Sequence, residues 1–263
     1  MAGPRAHPAP TAILITGASS GIGAALARRY AAPGVRLALG GRDRTKLADV
    51  AAACRTLGAA VAVDAVDVTD RAAMRAWVEA SDALAPLDLV IANAGISAGT
   101  GDGSESEDQA RRVMAVNLDG VLNTIHPAID RMRARRCGQV ALMASVAAFR
   151  GFPGAPAYSA SKAAVKAYGE ALRSDLAPAG IRLSVICPGF VATPMTAINR
   201  FRMPFLMSAD RAAGIVARGL ARDRARIAFP WPTHFAGWLV ATLPCAWADR
   251  LLRRLPAKDS AEG

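Results

Sequence analysis

The sequence is poor in residues that crosslink a chain. It contains four cysteines, and none of them lies at metal-ligand spacing from another. A chain of 263 residues can bury a sizeable apolar core and does not need disulfides to stay folded. We therefore expect reduced thiols and, because of these thiols, a cytoplasmic protein. The cysteines are Cys54, Cys137, Cys187 and Cys245.

Histidine and long apolar runs are scarce as well. The three histidines form no cluster with the cysteines, so no metal site is predicted, and this argues against a zinc-dependent dehydrogenase. No stretch reaches the roughly 20 apolar residues that a membrane-spanning helix needs. The apolar run at residues 11–16 is too short for the core of a signal peptide. The proline-rich residues 1–10 before it are expected to form a disordered tail.

Lysine is the third scarce residue, because only four of the 32 basic residues are lysines. The net charge of +11 could indicate an anionic partner such as nucleic acid or a membrane surface. However, the arginines are spread along the chain, and the sequence has neither a basic stripe interleaved with aromatic residues nor a nucleic-acid-binding motif. We therefore predict no nucleic-acid partner.

The main feature of the sequence is an alternation of short apolar runs, typical of strands, with longer runs that have helical spacing. This order predicts an α/β fold, a doubly wound parallel sheet of about seven strands with helices on both faces. One domain is expected over residues 11–230, with a C-terminal helical extension of the same domain at 231–263. The strands are predicted at residues 11–16, 36–40, 60–66, 87–92, 139–145, 182–187 and 227–229. The helices are predicted at residues 21–32, 45–57, 71–84, 104–136, 157–176 and 209–221.

Ser104 and Glu107 form a capping-box pattern, which predicts that the helix at 104–136 begins directly after Ser104.

A glycine-rich segment, Thr16-Gly-Ala-Ser-Ser-Gly-Ile-Gly23, lies between the first strand and the first helix. Its glycines, Gly17, Gly21 and Gly23, allow a tight turn and a close approach of the backbone to a pyrophosphate. The start of the helix then offers free N–H groups to the anion. The segment therefore predicts a dinucleotide site, although its G-x-x-x-G-x-G spacing differs from the commonest dinucleotide fingerprint.

The segment Tyr158-Ser-Ala-Ser-Lys162 places a tyrosine and a lysine on the same face of a predicted helix. Free tyrosine has a pKa near 10 and is a poor base at neutral pH. An adjacent ammonium group would stabilise the phenolate and lower that pKa. Tyr158 is therefore predicted to exchange a proton with a carbonyl or alcohol oxygen.

The glycine spacing and the Y-x-x-x-K pair together resemble the short-chain dehydrogenase/reductase family, over residues 11–230. The resemblance implies a Rossmann-like fold and an NAD(P)-dependent oxidoreductase in which Tyr158 is the acid/base and Lys162 supports it. It also implies that Ser145, which precedes the tyrosine from the end of the fifth strand, holds the substrate oxygen. Asn117 completes the family's catalytic tetrad, and its implied role is to hold a water that links Lys162 to solvent.

Three further segments agree with the family pattern: Asn93-Ala-Gly95 after the fourth strand, Asp67-Val68 at the end of the third, and Pro188-Gly-Phe-Val-Ala-Thr193. The resemblance implies that the first supports the sheet near the cofactor, the second contacts adenine and Thr193 meets the nicotinamide. The implied cofactor-binding residues are Gly17, Ser19, Ser20, Gly21, Ile22, Gly23, Arg42, Asp67, Val68, Asn93, Ala94, Gly95, Tyr158, Lys162, Pro188, Gly189, Val191 and Thr193.

The end of the second strand determines which cofactor is predicted. An acidic residue there would bind the ribose 2′-hydroxyl of NAD, whereas this chain has Gly41 followed by Arg42, with Arg44 and Lys46 near. An arginine fits the geometry of a phosphate. We therefore predict NADP (NADPH) rather than NAD as the cofactor.

Apolar residues flank the predicted site, which favours an apolar carbonyl or alcohol substrate rather than a sugar or an acid. Ordinary core packing is the alternative interpretation of each of them. They are Val146, Phe149, Phe152, Met195, Phe201, Met203, Phe205, Leu206 and Met207. A homodimer or homotetramer through the helices at 106–136 and 157–176 is implied by the resemblance alone.

The segment after residue 230 is less typical, because three tryptophans and a basic run follow one another in it. Aromatic residues beside a basic helix suit a membrane interface, so a peripheral membrane contact through residues 231–255 is one interpretation. Packing against the protein's own domain or against a partner subunit is the other. The sequence leaves both open.

Two other functions are compatible with the same motifs. One is an isomerase or dehydratase that uses the same tyrosine and a tightly held cofactor, although the relatives of that type have a larger substrate domain. The other is a non-catalytic, nucleotide-sensing binding protein, against which the presence of both Tyr158 and Lys162 argues.

Overall fold

The computed structural model describes residues 9–97, 104–199 and 201–252, so most of the predicted tail at 1–10 lies outside the described residues. The strands are β1 (Ala12–Thr16), β2 (Arg36–Gly41), β3 (Ala60–Ala65), β4 (Leu89–Ala92), β5 (Gly138–Met143), β6 (Ile181–Pro188), β7 (Val191–Ala192), β8 (Met207–Ser208) and β9 (Arg226–Phe229). The helices are α1 (Gly21–Tyr30), α2 (Arg44–Thr56), α3 (Arg71–Leu84), α4 (Glu107–Met114), α5 (Gly120–Arg135), α6 (Pro156–Leu176), α7 (Pro194–Ala197), α8 (Ala209–Ala221), α9 (Trp231–Thr242) and α10 (Cys245–Leu252).

Seven of the strands form one parallel sheet in the order β3-β2-β1-β4-β5-β6-β9, and the two short strands β7 and β8 pair separately. β1 is hydrogen-bonded to β2 on one side and to β4 on the other, with Ile13 opposite Leu89. The chain therefore reverses its direction of travel across the sheet between β3 and β4. In a doubly wound sheet this switch point opens a crevice at the carboxyl ends of the two central strands.

The strands are apolar along most of their length because helices cover both faces of the sheet. Ile13 and Ile15 of β1 belong to the core under α1, α2 and α8. Leu14, which points the other way, belongs to the core under α3, α5 and α6. Burial on both faces thus holds the carboxyl ends of the strands in fixed relative positions.

The helix predicted at 104–136 is present, but a π-helical segment at Ala115–Asp119 divides it into α4 and α5. The predicted capping box is wrong, because the N-cap of α4 is Ser106, whose side chain accepts a hydrogen bond from the backbone N–H of Gln109 at 3.2 Å. Ser104 lies two residues too early for this role, since a capping side chain has to stand directly before the first helical turn.

The predicted fold class is confirmed, with seven parallel strands, helices on both faces and the helices α9 and α10 beyond residue 230. The sequence pattern did not predict β7, β8 or α7, because segments of two to four residues are too short to show a periodicity. The domain boundaries stay a prediction.

Within the described ranges, no helix combines the length and the apolar character that crossing a membrane requires. Three of the cysteines, Cys54, Cys137 and Cys187, are free thiols, as expected. The cytoplasmic location stays a prediction.

Candidate active site

A cleft of about 430 Å³ lies at the carboxyl ends of the strands. On the β2 and β3 side it is lined by Arg42 and Asp67, and on the β5 and α6 side by Ser145, Tyr158 and Lys162. The loop between β1 and α1 lies between these two groups because β1 is central in the sheet. The topology therefore brings the glycine-rich loop and the Y-x-x-x-K pair to one site.

The glycine-rich loop is held tightly against the loop that follows β4. Gly17 has a positive φ of 64°, and a Cβ on it would lie 2.8 Å from Cα of Ala94. A Cβ on Gly23 would lie 2.2 Å from the carbonyl oxygen of Gly17. Asn93 fixes this arrangement, because its Nδ2 donates to the carbonyl oxygens of Thr16 at 3.0 Å and Gly17 at 3.1 Å. No side chain fits at either glycine, so the loop presents backbone rather than side chains at the start of α1.

Tyr158 and Lys162 occupy the side of α6 that faces the cleft. The amine Nζ of Lys162 lies 5.8 Å from the centroid of the Tyr158 ring and donates to the carbonyl oxygen of Met143 at 2.8 Å. The hydroxyl of Ser145 is hydrogen-bonded to the Tyr158 phenol, and it also accepts from the backbone N–H of Ala147 at 3.1 Å. The hydroxyl, the phenol and the amine therefore meet at the end of β5.

Burial dominates the ionisation of both the phenol and the amine. It raises the pKa of Tyr158, and the hydrogen bond from Ser145 offsets this only in part. Burial also lowers the pKa of Lys162 from 10.5 to about 8, with Cys187 acting in the opposite direction. The expectation that the ammonium lowers the phenol pKa is wrong for the protein's own groups, because desolvation is the largest effect on the phenol pKa and the lowering effect comes from Ser145. The phenol is therefore protonated at neutral pH.

Asn117 lies in the π-helical segment and is fully buried. Its Nδ2 donates to the carbonyl oxygen of Ile96 at 2.9 Å and to the hydroxyl of Ser161 at 3.1 Å, while its Oδ1 accepts from the N–H of Ile96 at 2.8 Å. A Cβ on Gly95 would lie 3.1 Å from this Oδ1 and 3.3 Å from Nζ of Lys162. Asn117 thus joins the loop after β4 to α6, and its oxygen and the lysine amine border the same small space.

Gly41 ends β2 at the position where an acidic residue would select NAD. A Cβ added to Gly41 would approach Leu47 and the Ser19 hydroxyl to 3.6 Å, which is ordinary van der Waals contact. Steric exclusion therefore does not explain the glycine, and a side chain could be introduced there.

The charged side chains of the cleft lining at this rim are two basic ones, Arg42 and Lys46, and two acidic ones, Asp43 and Asp67. Arg42 is exposed and contributes to a lowered pKa of Asp67, after the larger effect of the hydrogen bond that Asp67 accepts from the backbone N–H of Thr69. Lys46 forms an ion pair with Asp43 at 3.0 Å, and the N–H of Lys46 is the first cause of the lowered pKa of Asp43. Each basic side chain of this rim therefore has an acidic neighbour, Asp67 for Arg42 and Asp43 for Lys46.

The family described as short chain dehydrogenase matches residues 11–202. The chain belongs to this family. It is 37% identical over 243 residues to an uncharacterized oxidoreductase of Myxococcus xanthus, which covers 92% of this chain and 96% of the relative. It is 40% identical over 192 residues to galactitol 2-dehydrogenase (L-tagatose-forming) of Cereibacter sphaeroides, covering 72% and 74% of the two chains. Its fold is similar to the crystal structure of levodione reductase, with a TM-score of 0.76, 27% identity, and coverage of 85% and 97%.

Membership of the short chain dehydrogenases makes this protein an oxidoreductase with a nicotinamide cofactor and a small-molecule substrate. Of the residues assigned to the cofactor from the sequence, all except Gly23 line the cleft. Of the four assigned to catalysis, Ser145, Tyr158 and Lys162 line it, while Asn117 lies buried behind Gly95. The roles of these residues stay predictions.

One residue that the sequence reasoning missed is Glu105. Its Oε2 accepts a hydrogen bond from the backbone N–H of Ala157 at 3.0 Å, directly before Tyr158. The N-cap of α6 is Ala155, whose methyl group cannot cap a helix. Glu105 supplies the missing acceptor from the loop before α4, and no local sequence pattern could reveal a cap that comes from a distant part of the chain.

Two threonines were also missed as supports of the site. The hydroxyl of Thr16 accepts from the N–H groups of Asn93 at 3.0 Å and Ala94 at 3.1 Å. The hydroxyl of Thr196 accepts from the N–H of Thr193 at 3.0 Å, in a capping box at the start of α7. The second could have been found, since Thr193 and Thr196 have capping-box spacing.

The apolar residues suggested for the substrate have different locations. Met195 lines the cleft, and Phe205 and Leu206 are exposed on the segment after α7. Met207 belongs to the core, as the alternative interpretation holds, and Phe149 packs between Lys166 and Arg226. The lining also includes Ile96, Val116 and Met143, which the sequence reasoning did not select.

Proposed function

We propose that this protein is an NADPH-dependent carbonyl reductase that converts an apolar ketone or aldehyde to its alcohol, with Tyr158 as the proton donor. The observation that carries the proposal is the meeting of Ser145, Tyr158 and Lys162 in the cleft that the glycine-rich loop borders. Because the family contains enzymes of both directions, the reverse oxidation of a secondary alcohol belongs to the same proposal.

The lining of the cleft fits a dinucleotide. Gly17 and Gly23 leave space where a side chain would collide with the backbone, and α1 begins at Gly21 on the lining, so its N-terminus favours a pyrophosphate. Pro188, Gly189 and Thr193 border the cleft near the catalytic group, where a nicotinamide would lie. A nicotinamide held there supplies the hydride to the carbonyl carbon.

The protein's own groups handle the proton. The Ser145 hydroxyl is placed to hydrogen-bond the substrate oxygen, and the raised pKa of Tyr158 keeps its phenol protonated, as a donor to a carbonyl requires. The Lys162 amine, with a pKa of about 8, can exchange a proton near neutral pH. The space bordered by Lys162 and Asn117 beside Gly95 suits a water that returns a proton to the amine.

Part of the lining of the cleft also supports an apolar substrate. Ile96, Val116, Met143 and Met195 contribute apolar surface to the cleft. A hydrophobic pocket favours a matching substrate and leaves a sugar's hydroxyl groups without partners.

The preference for NADPH rests on Arg42 and on the absence of an acid at Gly41. A hydrogen bond to a charged group contributes about 1.5–3 kcal/mol, so Arg42→Ala should lower kcat/KM for NADPH by about 10- to 150-fold and change that for NADH little. Gly41→Asp should also lower kcat/KM for NADPH, because its carboxylate repels the 2′-phosphate, and it should raise the use of NADH relative to NADPH. Arg44→Ala, an exposed change outside the cleft lining, is the matched control. Equal specificity constants of the wild type for the two cofactors would show that the assignment of Arg42 is wrong.

The reaction is tested by a screen of ketones and aldehydes that follows NADPH absorbance. General acid catalysis contributes about 10²- to 10⁴-fold to the rate. The kcat of Tyr158→Phe should therefore be about 100-fold or more below that of the wild type, while the variant still binds NADPH. A Tyr158→Phe variant as active as the wild type would contradict the proposal. Substrate conversion without a net change in NADPH would indicate the isomerase or dehydratase, and binding of NADPH without any turnover would indicate the nucleotide-sensing protein.

A homodimer or homotetramer is part of the same proposal, formed through α4, α5 and α6. Light scattering of the purified protein tests it, and a monomer at micromolar concentration would contradict it.

A further inference from the structure

We propose that Phe149 is a positioning residue for Ser145, and that a cluster of side chains outside the cleft holds the Phe149 ring in place. The inference rests on the proposed function, in which the Ser145 hydroxyl hydrogen-bonds the substrate oxygen. Phe149 ends the short 3₁₀-helical turn Val146–Ala148, which begins directly after Ser145. Phe149 stands outside the lining of the cleft, so its ring can act on the reaction only through this turn.

The turn sets the direction of the Ser145 hydroxyl. The Oγ of Ser145 accepts from the backbone N–H of Ala147 at 3.1 Å, and its carbonyl oxygen accepts from the N–H of Ala148 at 3.0 Å. The N–H of Phe149 closes the turn on the carbonyl oxygen of Val146 at 3.2 Å. A shift of the turn would therefore move the hydroxyl away from its position beside the Tyr158 phenol.

The turn itself is weakly supported. Residues 146–150 are all half-buried, and an open cavity of about 720 Å³ adjoins Ala148 and Phe149. The hydrogen bonds of 3₁₀ turns have poorer geometry than those of α-helices. An anchored side chain at the end of the turn therefore has a large influence on where the turn lies.

Two cations hold the Phe149 ring. Nζ of Lys166 lies 5.2 Å from the ring centroid and Cζ of Arg226 lies 5.4 Å from it, both within the range of roughly 6 Å for cation–π attraction. Glu170 binds both cations, since its Oε2 lies 3.0 Å from Nζ of Lys166 and its Oε1 lies 3.0 Å from Nε of Arg226. The carboxylate thus keeps two like charges beside one ring and joins α6 to β9.

The helix α9 supplies a further contact. The ring of His234 meets that of Phe149 edge to face, with 4.9 Å between the centroids, and a Cβ on Gly237 would lie 3.8 Å from Cβ of Phe149. Burial, with a smaller effect of Arg226, lowers the pKa of His234, so His234 adds no third positive charge at neutral pH. Packing of α9 against the protein's own domain, one of the two interpretations left open by the sequence, therefore reaches the Ser145 turn. The membrane contact stays a prediction.

Ordinary apolar packing is the alternative interpretation of Phe149, which also packs against the core under α3, α5 and α6. Phe149→Leu separates the two, because leucine keeps an apolar side chain and removes the ring. We expect its kcat to fall about tenfold, since misplacing catalytic groups costs up to about 100-fold, while KM for NADPH changes little. Phe149→Tyr keeps the ring and should recover most of this loss. Phe235→Leu, at an exposed ring of α9, is the matched control and should keep the wild-type kcat.

The role of Glu170 is tested by Glu170→Gln, alone and together with Phe149→Leu. The single variant should lower kcat, because Lys166 and Arg226 lose the carboxylate that holds them beside the ring. In the double variant, Glu170→Gln should lower kcat no further, because its effect passes through the ring. Two losses that multiply in the double variant would show that Glu170 acts independently of Phe149, and they would overturn the proposal.

Hydrogen exchange measures the turn without any substrate. The amides of Ala147, Ala148 and Phe149 should exchange about tenfold faster in Phe149→Leu, since a cation–π contact contributes a free energy of that order, while the amides of β1 exchange as in the wild type. Unchanged exchange in the turn, a wild-type kcat of Phe149→Leu, or a Phe149→Tyr variant as impaired as Phe149→Leu overturns the proposal. A wild type that turns over no carbonyl compound would contradict the proposed function instead, and the exchange rates would still decide whether Phe149 holds the turn.

Discussion

Lys162 is 4% exposed, and the folded protein has to hold its amine away from water. Burial lowers the pKa of this amine from 10.5 to about 8. One pKa unit corresponds to about 1.36 kcal/mol. At pH 7 the buried ammonium therefore reduces the free energy of unfolding by roughly 3 kcal/mol, compared with a lysine that titrates at its ordinary pKa.

Lys162→Met keeps most of the side-chain volume and removes the charge. The variant leaves the carbonyl oxygen of Met143 without the hydrogen bond from Nζ, which costs about 1–2 kcal/mol. The net expectation is a gain of about 1–2 kcal/mol in the free energy of unfolding at pH 7 and a rise in Tm of a few degrees, about 2–4 °C per kcal/mol. Reductase activity should be lost in the same variant.

The dependence on pH identifies the cause. Because the folded pKa of Lys162 lies below the unfolded one, the unfolded chain binds more protons between pH 8 and pH 10.5. The contribution of Lys162 to stability therefore rises with pH across this window in the wild type, and this rise is absent from the variant. The advantage of the variant should shrink between pH 8 and pH 10.5 and reverse above it.

Urea unfolding at several pH values measures this difference, and titrations of other groups cancel between variant and wild type. Lys166→Met is the matched control on the same helix, because Lys166 is half-buried and forms an ion pair with Glu170 at 3.0 Å. It should not stabilise the protein. If Lys162→Met unfolded at lower urea than the wild type at pH 7, with an unchanged m-value, the burial argument would be refuted.

Three further changes test the supports of the site and the core. Asp82 is buried, binds Arg131 and Arg135 and accepts from the N–H of Leu87. Asp82→Asn should therefore lower the free energy of unfolding, measured in urea, by about 3–5 kcal/mol. The control Asp130→Asn, at an exposed position, should lower it by less than about 0.5 kcal/mol. Gly95→Ala places a methyl group 3.1 Å from Oδ1 of Asn117 and 3.3 Å from Nζ of Lys162. Gly95→Ala should lower kcat about tenfold or more, since misplacing catalytic groups costs up to about 100-fold. An unchanged kcat would show that the space between Asn117 and Lys162 is not needed for the reaction. Glu105→Ala removes the cap of α6 and should cost about 1 kcal/mol in thermal unfolding. Glu105→Gln, which keeps an acceptor oxygen, should recover most of that loss.

The sequence predicted the sheet well for a physical reason. Strands buried on both faces are continuous apolar runs. Asp43 and Asp70 stand directly before α2 and α3 and cap them by accepting from Lys46 and Ala73, a second signal that the sequence reasoning missed. Both signals are local and can be recognised in one sequence. The two-residue strands β7 and β8 depend on tertiary contacts instead, and no local pattern marks them.

The same distinction applies to the site. The glycine-rich loop and the Y-x-x-x-K pair are local motifs, and the parallel sheet brings them to one edge, so most lining residues could be named in advance. The π-helical turn at Asn117 and the cap from Glu105 could not, because each depends on a contact with a distant segment, Ile96 in one case and Ala157 in the other. The direction in which the pKa of Tyr158 is shifted could not be predicted from the sequence either, because it depends on burial.

Burial links the stability of the fold to the chemistry of the site. The apolar surroundings that lower the pKa of Lys162 also raise that of Tyr158, and only the second effect favours proton donation to a carbonyl. More polar surroundings at this end of the cleft would remove the loss of stability caused by the buried Lys162 ammonium, and they would also lower the pKa of the Tyr158 phenol. Replacing Lys162 by an apolar residue should therefore stabilise the fold and at the same time reduce activity. The general trade-off between stability and function predicts this combination.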